Sequence, residues 1–200
     1  KILISTGGSG GHVIPATIFY EHLKDNFEVH ISSDIRGTKF LNSKIKNVKI
    51  INTPRTTSNF FLLPIVFFNF IFLVFKSLFL FKKEKIRILL STGGYMSLPL
   101  CIAAKILKIK IYLFEPNMVI GRANKYFLAF CKNIFCYSKE IKNYEKKYLH
   151  KIILIDPLLR KEFYDVNTDE NSSIQKYINL LIVGGSQGAK FFDEFISKTI

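Results

Sequence analysis

Three times along the chain an apolar run of strand character ends in a glycine pair: Ile2-Leu3-Ile4-Ser5-Thr6-Gly7-Gly8, Ile88-Leu89-Leu90-Ser91-Thr92-Gly93-Gly94 and Leu180-Leu181-Ile182-Val183-Gly184-Gly185. Each run is short, rich in Ile, Leu or Val and followed by a segment of helical character. Each therefore predicts a buried parallel strand turning tightly into a helix. A single Gly-Gly turn needs no more explanation than the left-handed backbone of a tight connection. Three of them, two continuing into serine and one into histidine, point to a ligand site. In an open α/β sheet, ligands bind outside the carboxyl ends of such strands, where unpaired helix N–H groups favour negative charge.

The rest of the chain extends the pattern. Strands are predicted near residues 1–6, 28–33, 48–52, 86–92, 110–115, 132–138, 151–156 and 179–185, with helices in most of the gaps. This βαβα alternation with short loops predicts an α/β fold built on a doubly wound parallel sheet. Residues 165–176 (DVNTDENSSIQK) depart from it, being polar and without apolar periodicity, and read as a linker. A second Rossmann-like unit then starts at about Tyr177. The predicted division is a first domain over 1–164, a linker over 165–176 and the start of a second domain over 177–200, its glycine turn facing the first two across a cleft. The chain opens directly on a strand, without a secretory signal, and stops one helix after a new strand begins, as expected of part of a longer protein.

Composition narrows the partners. An apolar content of 48% sustains a packed core. The formal charge of +14 invites a nucleic-acid reading, but the excess is 24 Lys against 5 Arg and is dispersed. Arginine clusters interleaved with aromatics, which would mark a nucleic-acid reader, are missing. A basic surface is either a solvated one or one that favours anions such as phospholipid head groups and diphosphates. Cys101, Cys131 and Cys136 are odd in number, lack metal-ligand spacing and lie in apolar stretches, so they read as reduced core residues.

Phe60 to Phe81 (FFLLPIVFFNFIFLVFKSLFLF) holds nine of the twenty phenylalanines. As a helix it would run about 33 Å, enough to cross a bilayer. A single crossing would put the turns at Gly7 and Gly93 on opposite sides of a membrane, although their strands should share one sheet. Three readings stand: a buried core helix, a crossover helix with one face dipping into lipid, and a true span. Lys76, Lys82, Lys83, Lys85 and Arg87 at its C-terminal end suit anionic head groups.

The first turn, Gly7-Gly8-Ser9-Gly10-Gly11-His12-Val13, is not the GxGxxG dinucleotide fingerprint, because Val13 stands where the third glycine should be. Asp34, near the end of the second strand, sits where a ribose-binding acid would. His12 stands at the mouth of a helix, where a neutral imidazole can take a proton from a hydroxyl; elsewhere a lone histidine is a capping or packing residue.

Together, GGSGGHVIPA, then STGGYMSLPLCIAAKILKIKIYLFEPN followed by GRANKYFLA, and finally LLIVGGSQGAK resemble the MurG family, the N-acetylglucosaminyltransferases that act on lipid I in bacterial peptidoglycan synthesis. The similarity runs through nearly all of the chain in the right order. It implies a GT-B architecture of two Rossmann-like domains with the active cleft between them. It also implies inverting transfer of N-acetylglucosamine (GlcNAc) from UDP-GlcNAc to the muramyl sugar of lipid I, giving lipid II. No cofactor and no metal at the catalytic centre are implied. The implied setting is peripheral, on the cytoplasmic face of the cell membrane, with anionic inner-membrane lipids and other cell-wall synthesis proteins as further partners.

By the resemblance, Ser9, Gly10 and Gly11 match the family's first glycine loop, assigned to the donor, and His12 its histidine, the candidate base. Gly93, Gly94 and Tyr95 match a loop that resembles an acceptor diphosphate site. Glu115 and Asn117 match the acid and the amide of an E-Q-N run whose Asn contacts the donor sugar; Pro116 replaces the middle residue. Arg160 aligns with the arginine of a G-N-P-V-R pattern, although the chain reads Ile155-Asp156-Pro157-Leu158-Leu159-Arg160. Ser186, Gln187 and Gly188 match the third loop, at the donor diphosphate. In this scheme His12 deprotonates the acceptor hydroxyl, the Ser186 turn and Arg160 stabilise the leaving diphosphate, Asn117 orients the sugar, and Glu115 supports His12 or a loop. Rival readings are a GT-B enzyme with another acceptor, and a nucleotide-binding Rossmann protein, whether oxidoreductase or non-catalytic module. The last explains one glycine turn but not His12, the further turns and the Phe-rich segment together.

Overall fold

The computed structural model describes residues 1–42, 45, 48–53 and 60–164. The predicted linker, the eighth strand and the third glycine loop, with Ser186, Gln187 and Gly188, lie outside the described residues. Residues 1–164 form one compact unit.

Seven strands make one parallel sheet: β1 (Ile2–Ser5), β2 (Val29–Ser33), β3 (Lys49–Ile50), β4 (Ile88–Ser91), β5 (Lys110–Glu115), β6 (Asn133–Cys136) and β7 (Ile152–Leu154). Their order is β3-β2-β1-β4-β5-β6-β7. Helices α1 (Gly10–Leu23), α2 (Ile35–Thr38), α3 (Leu63–Lys83), α4 (Ser97–Ile106) and α5 (Arg122–Phe127) connect them. The order reverses between β1 and β4, which is where ligands collect in doubly wound sheets. The central strands are buried on both faces, and this explains why they read as unbroken apolar runs.

The sequence repeat is built into the strand register. Ile2 pairs with Ile88 and Ser5 with Ser91, so ILISTGG and ILLSTGG lie side by side, residue against residue. The two glycine pairs leave the sheet together as a consequence. Gly8, Gly93 and Gly94 have φ of +83°, +87° and +84°, a region that excludes most side chains.

Helix α3 settles two of the three readings of the Phe-rich segment. Leu73, Ser77 and Phe81, four residues apart, form its buried stripe, and Leu73 and Phe81 join the core with Leu100, Ala103 and Ala104 of α4. Ser77 Oγ donates to Leu73 O at 2.7 Å, so its hydroxyl is satisfied within the helix. On the other side Phe67, Phe68, Phe72, Phe75 and Phe79 are 60–69% exposed. The buried-core reading is therefore corrected: one stripe is packed and the rest is bare apolar surface. The helix is long and apolar enough to cross a membrane. Its packed stripe and its position between β3 and β4 of one sheet tie it to the domain instead, and Lys49 Nζ meets Glu84 Oε1 at 2.9 Å just beyond its end. Cys101, Cys131 and Cys136 are buried and unbridged, as core residues should be. Burial pushes the thiols of Cys101 and Cys136 up to about 12.

Candidate active site

Above the carboxyl ends of β1, β4 and β5 lies a cleft of about 730 Å³ lined by His12, Arg36, Gly93, Gly94, Tyr95, Leu98, Glu115, Asn117, Gly121, Arg122, Ala123, Asn124 and Tyr126. Six of the predicted residues meet there: His12, Gly93, Gly94, Tyr95, Glu115 and Asn117.

His12 is held by the neighbouring strand. Its Nδ1 lies 2.7 Å from Thr92 O. A carbonyl only accepts, so Nδ1 carries the proton and donates, and in the neutral ring Nε2 keeps its lone pair. The imidazole lies against the second glycine pair. A Cβ on Gly93 would fall 3.3 Å from His12 Cε1, and one on Gly94 would fall 3.2 Å from Gly7 O and 3.5 Å from His12 Cδ2. The glycines are thus required both by their backbone and by the ring that fills the space a side chain would take. The two glycine turns interlock through His12.

At the mouth of α1, Ser9 occupies the N-cap with its side chain making no capping bond. Helical bonds begin with His12 and Val13 donating to Ser9 O. The amides of Gly10 and Gly11 are left without partners among the described residues, an arrangement that favours an anion.

Glu115 is 2% exposed and is fully engaged in shaping a loop. Oε1 accepts from Asn117 N and Nδ2 at 3.3 and 2.9 Å, and Oε2 accepts from Gly121 N at 2.7 Å and Asn124 Nδ2 at 3.0 Å. Of the two supports foreseen for Glu115, the loop is the one these bonds make. Asn117 spends one amide hydrogen on Glu115, and its carbonyl oxygen has no partner among the described residues. Asn124, which the sequence reading did not single out, donates to Phe114 O at 3.0 Å, while its Oδ1 is buried without a partner among the described residues. Its place in the GRANKYFLA run, seven residues beyond Asn117, is the signal that could have drawn attention to it.

Asp34 is not free for a ribose. Its Oδ1 accepts from Gly8 N and Gly37 N, both at 2.8 Å, and its Oδ2 accepts from Arg36 Nε at 3.0 Å. Burial opposes its ionisation, but the two amide donors and the Arg36 guanidinium together hold its carboxyl below the usual aspartate value. The fit around it is close: a Cβ on Gly7 would stand 2.8 Å from Asp34 Oδ1, and one on Gly37 would stand 2.9 Å from Gly7 Cα.

Arg160 lies elsewhere. The chain beyond β7 folds back along α1, where His22 Nε2 bonds Leu159 O at 3.0 Å. Arg160 there lines a separate hollow of about 270 Å³ with Ile14, Thr17, Glu21 and Glu162.

A parallel sheet whose order reverses beside interlocked glycine turns, with a cleft at its carboxyl edge, defines a Rossmann-like α/β domain. Residues 2–136 match the family described as the glycosyltransferase family 28 N-terminal domain, and the chain belongs to that family. All of the chain aligns, at 58% identity over 200 residues, with 56% of the Pelagibacter ubique (strain HTCC1062) UDP-N-acetylglucosamine--N-acetylmuramyl-(pentapeptide) pyrophosphoryl-undecaprenol N-acetylglucosamine transferase. It aligns at 32% identity over 202 residues with the protein of the same name from Rickettsia canadensis (strain McKiel), again over 56% of its length. The chain thus spans a little over half of these relatives. Among solved structures it resembles Acinetobacter baumannii MurG with a TM-score of 0.72 at 23% identity, over 96% of this chain and 55% of that one. A second likeness in fold is to the S. aureus MnaA-UDP co-structure, with a TM-score of 0.59 at 14% identity.

Proposed function

We propose that this chain is the acceptor-side domain of an enzyme that transfers GlcNAc from UDP-GlcNAc to the muramyl sugar of lipid I. The observation that carries this reading is the bond from His12 Nδ1 to Thr92 O, which leaves Nε2 as the acceptor for the proton of an attacking sugar hydroxyl. Deprotonation by a positioned base contributes on the order of 10²-fold or more to such a transfer. The unpaired amides of Gly10 and Gly11, with the turn at Gly93, Gly94 and Tyr95, surround the base with groups suited to phosphate. The carbonyls of Asn117 and Asn124 suit sugar hydroxyls and the N–H of an acetamido group. The resemblance assigns the donor diphosphate to the loop of Ser186, Gln187 and Gly188.

The exposed face of α3 supports a peripheral site on the cytoplasmic face of the membrane. Its phenylalanines enter the acyl boundary while Lys76, Lys82 and Lys83 meet anionic head groups. The test is transfer of labelled GlcNAc from UDP-GlcNAc to a lipid-linked muramyl-pentapeptide acceptor by the full-length protein. A labelled disaccharide product is expected, and its absence with both substrates present would contradict the reading.

A further inference from the structure

Two guanidinium groups line the cleft, Arg36 and Arg122, and the bonds around Arg36 hold it in place. Its Nε and Nη2 both meet Asp34 Oδ2, at 3.0 and 2.9 Å. The other oxygen of the same carboxylate takes the N–H groups of Gly8 and Gly37. One buried carboxylate therefore ties Arg36 to the glycine loop that opens α1. Gly7 and Gly37, packed backbone to backbone, leave that tie little room to move.

Stability alone gives a poor account of this arrangement. The Arg36 side chain is 50% exposed, and pairs with an exposed partner contribute little. The Asp34 charge is already stabilised by two amide donors. What the pairing does achieve is orientation. Two of the five N–H donors of the guanidinium are occupied, and the other three have no partner among the described residues. Immobilising an arginine costs side-chain entropy, and a fork already fixed in place spares a ligand that cost. The amides of Gly10 and Gly11, two and three residues from Gly8, are also unpaired. The three unspent donors of a planar fork fixed at the cleft suit the oxygens of a phosphate group.

We propose that Arg36, oriented by Asp34, binds a substrate diphosphate in this cleft, Asp34 acting as the positioning residue that locks the guanidinium to the first glycine loop. The proposal rests on the transferase reading for the source of the diphosphate, either the lipid-linked acceptor or the nucleotide sugar. Its chemistry does not depend on that choice.

The experiment uses the full-length protein and two readouts. In steady-state transfer, Arg36→Ala should raise the KM of one diphosphate substrate about 10- to 100-fold, the range expected for a lost charge-assisted pair, with kcat within about threefold of wild type. A rise in the acceptor KM identifies the acceptor as the source and a rise in the donor KM identifies the donor. In calorimetry with inorganic pyrophosphate, the same variant should bind at least about 10-fold more weakly. Arg36→Lys should recover only part of either effect, because an ammonium lacks the planar fork. Asp34→Asn should raise the same KM while circular dichroism and pyrophosphate-free thermal melting show a folded domain; if it does not fold, the two Arg36 variants carry the test. Wild-type pyrophosphate binding lost in Arg36→Ala without any transfer activity would uphold this site and overturn the transferase reading. Unchanged KM values together with unchanged pyrophosphate binding, or no pyrophosphate binding by the wild type, would overturn the site.

Discussion

At the scale of single residues, the site is governed by which polar groups have partners and which do not. Glu115 and Asp34 are buried carboxylates with their acceptor positions filled, and each organises a loop. His12 has one nitrogen committed and one free. Because the folded-state value of Asp34 lies below its unfolded one, near 3.9, its contribution to stability is present above that value and is lost as pH falls through the folded value. Thermal melting of wild type and Asp34→Asn should therefore differ at neutral pH and converge as the medium is acidified through the lowered folded-state value. A constant gap across that range would show that the Asp34 charge does not contribute. Gly93→Ala places a Cβ against His12 at φ +87°. It should cost about 1–2 kcal/mol of stability from backbone strain and also lower turnover, measured by melting and by transfer assay. Full activity in a folded Gly93→Ala protein would show that the ring does not depend on the glycine.

At the scale of elements, the sheet was legible because its central strands are buried on both faces and so carry short continuous apolar runs, each closed by a turn signal. Seven of the strands lie within two residues of the predicted limits at their start and within three at their end. The first two glycine turns were legible for the same reason, and the strand register explains why their sequences match. Helix α3 could not be resolved from composition, because a helix apolar all round looks the same whether covered by protein or by lipid. The deciding fact, that only the stripe at Leu73, Ser77 and Phe81 is packed, depends on the position of α4. Arg36 was missed because it belongs to no recognisable run, and Asn124 because nothing in its GRANKYFLA run marks it out; their proximity to His12 arises only when loops after three different strands converge. Replacing Phe72 and Phe75 together by serine should weaken binding to anionic vesicles at least about threefold, since each removes apolar area available to the acyl boundary. The melting temperature should change little, because both side chains are exposed. Vesicle binding equal to wild type would remove α3 from the membrane contact.

At the scale of the whole molecule, residues 1–164 form a compact unit with a complete sheet and a cleft on its carboxyl edge. The relatives that the chain matches are nearly twice its length. A donor site in the second domain implies that the 200-residue chain alone should fold through its first domain and show neither transfer nor appreciable UDP-GlcNAc binding, whereas the full-length protein should show both. Robust turnover by the 200-residue chain would place the whole donor site within it. If His12 serves as base in the glycine-lined cleft, the decisive measurement is kcat of the full-length His12→Ala variant. It should fall about 100-fold across roughly pH 6 to 9, with UDP-GlcNAc affinity nearly unchanged, because a base acts in the transition state and not in donor binding. A kcat within about threefold of wild type over that range would contradict it, since general-base catalysis contributes at least on the order of 10²-fold.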